Sequence, residues 1–198
     1  MRKLTLDDII DLRAYERERD EFRDRVIALK KRRRIHVGDL VTLTFESTDT
    51  MRFQVQEMAR AERMLSDEQI AHEIETYNAL VPDDGELSAT LFIEITDNDK
   101  LREWLPKLVG IQRALSFRLG DPGAGEVAVA CVPEDEERLT REDVTSTVHY
   151  LKFPFPAGGE KLLRDGPAAI VIDHPNYQVS TVLTGEQREE LAGDLVAD

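Results

Sequence analysis

His149, His174 and Glu94 are the residues whose types suit a metal. Imidazole and carboxylate together bind zinc, iron or manganese, so a divalent metal is the cofactor this sequence allows. His149 lies in a strand pattern and His174 at a strand end, with Asp173 beside it. An antiparallel sheet can make such positions neighbours. No His-Glu-x-x-His element and no Glu-x-x-His pair of the di-iron bundle type is present. The simpler reading makes His149 a packed sheet histidine and His174 a turn residue before Pro175.

A second group is Glu46, Gln54, Gln56, Glu57, Arg60 and Glu62, all within one strand-turn-helix stretch. Partly buried amides, carboxylates and guanidiniums need partners, and a small polar or anionic ligand can supply some of them. A desolvated carboxylate there can serve as a general acid or base. The simpler reading is an internal salt-bridge network that fixes a helical arm onto a sheet. A third group is the basic run Lys30 to Arg34, either a phosphate or partner contact or a solvated helix end. Cys131 sits in an apolar strand with no basic neighbour, which suits an inert buried thiol. Gly120 to Gly125 lacks the Gly-Lys-Ser/Thr ending of a phosphate loop.

The elements that must position these residues follow from periodicity. Thr5 and Asp8 suit a helix cap. A helix is expected from about Tyr15 to Arg34, with Phe22, Val26 and Leu29 on one side. Gly38-Asp39 turns into the strand Val41–Phe45, and Asp49 or Thr50 is expected to cap a helix near Met51–Leu65. Ser66 to Gln69 is a capping box that opens another. Pro82 to Gly85 ends the helical part. Leu87 to Ile95 then alternates over nine residues. A short helix near Asp99–Leu108 precedes strands at Ala114–Leu119 and Val127–Val132, joined by the turn Gly120 to Gly123. An acidic loop, Glu134 to Glu137, leads to strands near Thr145–Phe153, Ala168–Ile172 and Val179–Leu183. Thr184 to Gln187 opens a C-terminal helix, and Pro154 to Gly159 reads as a loop.

The expected fold is therefore α+β: a helical N-terminal half packed on a mostly antiparallel sheet of about five to seven strands, with a C-terminal helix. A length of 198 residues suits one domain, residues 1–82 mainly helical and 83–198 mainly sheet. The net charge of -14 argues against general affinity for nucleic acid or anionic membrane. One cysteine excludes a disulfide frame. Neither an apolar leader nor a run of membrane-spanning length is visible, so a soluble cytoplasmic protein is expected.

Several stretches resemble one bacterial family. Tyr15-Glu16-Arg17, Lys31 to Arg34, Phe45-Glu46, Gln54 to Met58, Arg60-Ala61-Glu62 and Glu73 to Asn78 are similar to its pattern. Ala89 to Glu94, Val148 to Leu151 and Asp173 to Tyr177 are too. The family is catalogued only as domain of unknown function 3501, and it carries no established activity. The resemblance implies company with non-haem iron and iron–sulfur redox proteins of the rubrerythrin kind. The expectation at this level is an ancillary protein of bacterial iron or redox metabolism that binds a metal or a redox partner. The alternatives are a small-molecule enzyme or binding protein using the Glu57, Arg60 and Glu62 cluster, and a docking module using Lys30 to Arg34.

Overall fold

Alternating apolar residues close two antiparallel sheets onto a shared core in the computed structural model, which describes residues 1–121, 125–135, 139–141 and 143–196. The first sheet has the order β1-β2-β3-β7-β6 and the second β5-β4-β8-β9. The strands are β1 (Arg34–Val37), β2 (Val41–Phe45), β3 (Glu86–Ile93), β4 (Leu115–Leu119), β5 (Val127–Ala130), β6 (Val132–Glu134), β7 (Val148–Pro154), β8 (Ala168–His174) and β9 (Tyr177–Val182). Phe45 and Phe153 of the first sheet meet Phe117 of the second, with centroids 5.8 and 5.0 Å from the Phe117 ring. Edge-on and tilted ring contacts of this kind add to the area they bury.

The fold class is α+β as expected, with the strands divided between two sheets. The chain passes between the sheets three times, after β3, after β5 and after β7, and the second passage falls at Cys131. The expected single strand Val127–Val132 breaks there, and the chain passes from the second sheet to the first. Alternation reports which residues share a face; which strands share a sheet depends on pairing. The Cys131 thiol donates to the Gln112 carbonyl at 3.1 Å, and burial pushes its pKa up to about 11. Both features disfavour the reactive thiolate.

Among the described residues the helices are α1 (Leu12–Arg33), α2 (Thr48–Ala61), α3 (Asp67–Asn78), α4 (Asn98–Lys107), α5 (Gly159–Asp165) and α6 (Gly185–Asp194). Ser47 caps α2, not Asp49 or Thr50. Its hydroxyl accepts from the Thr50 amide, and the Thr50 hydroxyl accepts from the Ser47 amide at 2.8 Å. Arg63, in a left-handed conformation, ends that helical run. The structure adds β1, which the basic helix end masks in the sequence, and α5, which its Gly158-Gly159 start disguises as loop. The Pro122-Gly123 half of the expected turn and the Glu136-Glu137 half of the acidic loop lie outside the described residues.

A second, smaller apolar cluster holds the helical layer together: Leu4, Met51, Val55, Ile74 and Val81. Tyr15, Phe22 and Val26 of α1 pack as a third cluster, with Phe53 of α2 against them. Near the β1–β2 hairpin the left-handed Gly38 is required. A side chain there would meet the Tyr177 hydroxyl, which bonds to Val37 O and Leu40 N, each at 3.0 Å.

Candidate functional site

Strand β2 is buried at all five residues and β3 at six of its eight. Strands buried on both faces are ordinarily continuous apolar runs. Here the residues alternate. Leu43, Phe45, Ala89 and Leu91 enter the core between the sheets. Thr42, Thr44, Ser88 and Thr90 face the other way and are equally buried. Glu46 continues that polar face just past β2 and is 4% exposed.

The Glu46 carboxylate accepts from the Thr50 hydroxyl at 2.7 Å and from the Thr90 hydroxyl at 2.6 Å. Among the described residues it makes no ion pair. The Thr44 and Ser88 hydroxyls on the same face find no hydrogen-bond partner among the described residues. Pairing register extends the row: Thr44 lies opposite Thr90, and Thr90 opposite Tyr150 of β7. From above, α2 presents Thr50, and helical spacing puts Gln54 and Met58 on the same side. Helix α3 contributes Tyr77. Burial raises the Tyr77 hydroxyl pKa, and Glu73, Tyr150 and Glu62 raise it further, so these groups share one locality. The side chains of Gln54, Tyr77 and Tyr150 also have no hydrogen-bond partner among the described residues.

Ion pairs close both ends of this face. At one end Arg34 pairs with Glu94, which also accepts from the Thr42 hydroxyl at 2.6 Å. At the other, Lys152 sits within 3.2 Å of Glu86 and 3.9 Å of Glu134. Burial opposes the Lys152 charge, but the Glu86, Glu134 and Asp83 carboxylates outweigh it and raise its pKa.

A family model described as a protein of unknown function, DUF3501, matches residues 3–195. The chain belongs to that family. It is also similar to the crystal structure of a protein of unknown function from Burkholderia pseudomallei, at 34% identity and a TM-score of 0.88, covering 98% of this chain and 100% of that one. A search of curated proteins gives no significant match. Five of the nine stretches that carry the family resemblance reach the polar sheet face. Phe45-Glu46, Gln54 to Met58, Glu73 to Asn78, Ala89 to Glu94 and Val148 to Leu151 bring Glu46, Gln54, Tyr77, Thr90 and Tyr150 to it.

The six residues proposed as one polar pocket are divided by α2. Glu46 faces the sheet, Gln54 lies on the sheet side of the helix, and Glu62 acts on Tyr77. Gln56, Glu57 and Arg60 point to α1 and the N-terminal segment, where their hydrogen bonds are made. The Gln56 amide donates to Ile10 O at 2.9 Å and accepts from Ile10 N at 3.2 Å. Glu57 accepts from the Tyr15 hydroxyl at 2.6 Å and takes a forked pair from Arg19, both arms at 2.8 Å. The Arg19 bonds, together with that from Tyr15, hold its carboxyl below the usual range. Arg60 bonds Glu16 at 2.6 Å. This side is a salt-bridge network that fixes α1.

The proposed metal ligands are not brought together. His149 lies opposite Leu91 on the core face of the first sheet, its Nε2 2.8 Å from the Thr145 hydroxyl. His174 belongs to the second sheet, with Nε2 3.0 Å from Val109 O. Glu94 is engaged by Arg34 and Thr42. Among the described residues no three His, Cys, Asp or Glu side chains cluster to hold a metal. Asp173 to Tyr177 is instead a fastening. Asn176 donates to Lys107 O at 2.7 Å and Tyr177 ties the β1–β2 hairpin.

The basic run is also divided. Arg33 is 2% exposed, donates to Phe45 O and Glu46 O, and forks onto Asp194 of α6. Burial works against its charge, and the Asp194 and Glu190 carboxylates override that and keep it protonated. Arg32 pairs with Glu190 and Arg34 with Glu94. Three of the five cations in the run are therefore engaged by carboxylates. No described helix is long and apolar enough to cross a membrane.

Proposed function

We propose that the protein binds a small molecule rich in hydroxyl or amino hydrogens on the helix-covered face of the first sheet. The observation that carries this reading is a buried face built of hydroxyls and a carboxylate where apolar side chains would be more stable. The side chains of Thr44, Ser88, Gln54, Tyr77 and Tyr150, unpartnered among the described residues, are not fully sealed from solvent, so a ligand can reach them and satisfy their hydrogen-bonding groups. Glu46 supports the reading, since a carboxylate that accepts two hydrogen bonds has lone pairs to spare. Thr44, Ser88, Gln54, Tyr77 and Tyr150 add donors and acceptors with free capacity. Glu46, Glu62, Glu73, Glu86, Glu94 and Glu134 outnumber Arg34 and Lys152 here, which favours neutral or cationic ligands over anions. Any partner from the non-haem iron or iron–sulfur redox proteins would bring its own metal under this reading.

The test is a thermal-shift panel of polyols, sugars and amines, run on the wild-type protein and on a Thr44→Val, Tyr150→Phe double variant. At least one of these classes should raise the wild-type melting temperature and leave the variant unmoved. A panel without effect on the wild type, or an equal shift in the variant, would count against the proposal.

A further inference from the structure

Where α1 crosses the start of α2, a cleft of about 260 Å³ opens on the side of α2 away from the sheet. Its apolar floor comes from Phe22, Val26 and Leu29 of α1, which recur at helical spacing. Its rim carries three guanidiniums, Arg25 and Arg32 of α1 and Arg52 of α2, against a single carboxylate, Asp49. The lining therefore has three positive and one negative group, net +2, in a chain of net charge -14.

Two of the arginines share one ring. Arg25 and Arg52 both lie over the Phe22 ring, their guanidinium carbons 5.6 and 5.2 Å from its centroid. Each gains from the ring quadrupole, but two like charges over one ring repel each other. Phe22 also meets Tyr15 and Phe53, both edge-on, so its orientation is set by packing. Arg52 spends Nε on Asp8 O at 2.8 Å and makes no ion pair among the described residues. Arg25 pairs with Glu21, and Arg32 with Glu190. The Arg25 pair is a surface pair of the kind that yields readily to a competing anion, whereas Glu190 is mostly buried and shared with Arg33.

We propose that this cleft binds a small organic anion, its carboxylate or phosphate held by Arg25, Arg32 and Arg52 and its short apolar body resting on Phe22, Val26 and Leu29. Guanidinium forks match planar carboxylate and phosphate oxygens, and a bound anion removes the repulsion between the arginines. Ligand pockets commonly span roughly 300 to 1,000 Å³, so a cleft slightly below that range selects a small ligand. This site is independent of the sheet face. Arg52 is half a helical turn away from Thr50 and Gln54.

The test uses benzoate and phenyl phosphate as probes and benzyl alcohol as the uncharged control. They are titrated into the full chain at low salt while backbone amide resonances are followed. Saturable shifts confined to α1 and the first turns of α2, with either anion but not with the alcohol, are expected. Arg52→Gln should weaken binding about tenfold or more, as loss of a charge-assisted contact does. Arg25→Gln serves as a second variant should the first disturb the Asp8 contact. No saturable response, an equal response to benzyl alcohol, or undiminished binding by both folded variants would overturn the proposal. So would displacement of the probes by a short acidic peptide that binds far more tightly, which would make the cleft a peptide-docking surface.

Discussion

On the α1 side of α2, Glu57 accepts from Tyr15 and Arg19, Gln56 closes a two-way amide bond with Ile10, and Arg60 meets Glu16. On the sheet side, Glu46 has two hydroxyl donors and no cation. Around it Thr44, Ser88, Gln54, Tyr77 and Tyr150 have no hydrogen-bond partner among the described residues. Both sides are rich in polar residues, and by composition they look alike. The difference lies in spare capacity. A saturated network contributes to stability and has little to offer a ligand, whereas an unsaturated buried face is costly and has much to offer.

The largest expected effect belongs to the saturated class. Arg33→Met leaves Asp194 buried without its guanidinium and takes two donors from the Phe45 and Glu46 carbonyls. A loss of about 3 to 5 kcal/mol is expected in urea unfolding. A loss under about 1 kcal/mol would show that water reaches Asp194 and that this clamp is weaker than its burial implies.

Glu57→Gln comes next, at roughly 1 to 2 kcal/mol near neutral pH, because charge-assisted bonds to Arg19 and Tyr15 become neutral ones. The pH dependence follows from the lowered folded-state pKa of Glu57. Its contribution is fully present above the unfolded-state glutamate pKa and is lost as the pH falls through the lower folded-state value. The gap between wild type and variant should therefore close on acidification below about pH 4.5. A gap that stays constant to pH 2 would remove Glu57 from the saturated network.

Thr44→Val sharpens the contrast. It removes a buried hydroxyl that has no protein partner and keeps the shape, so stability should stay level or rise by up to about 1 kcal/mol. A clear destabilisation would mean the hydroxyl is already satisfied and the face is not open. Smallest of all is Arg60→Gln, at most about 0.5 kcal/mol, since its pair with Glu16 is exposed and screened. Urea midpoints at low and high salt check both the size and the screening.

Sequence reading reached the strands with long alternation and the helices with capping boxes, because both signals are local. The alternation from Leu87 to Ile95 puts Ser88, Thr90, Phe92, Glu94 and Thr96 on the face opposite Leu87, Ala89 and Leu91. What it missed is that helices cover that face. An alternating Ser/Thr/Glu row is also what a solvent-facing strand carries, so Thr44, Thr90 and Tyr150 gave no signal of a site. Likewise the dense polar stretch Glu46 to Glu62 looked like one pocket, although a helix presents residues 50, 54 and 58 to one side and 52, 56 and 60 elsewhere.

Composition, periodicity and turn chemistry alone determined the α+β class, the antiparallel pairing, the capped helices and the turn at Gly38-Asp39. These depend on residues a few positions apart. Only tertiary structure decided that the strands part into two sheets, that His149 and His174 fall in different sheets, and that Arg33 reaches Asp194 across 161 residues. It also decided which polar side of α2 is saturated. Those outcomes depend on contacts between distant segments, and the free energy of such a contact is set by the burial and partners it finds once the chain has closed.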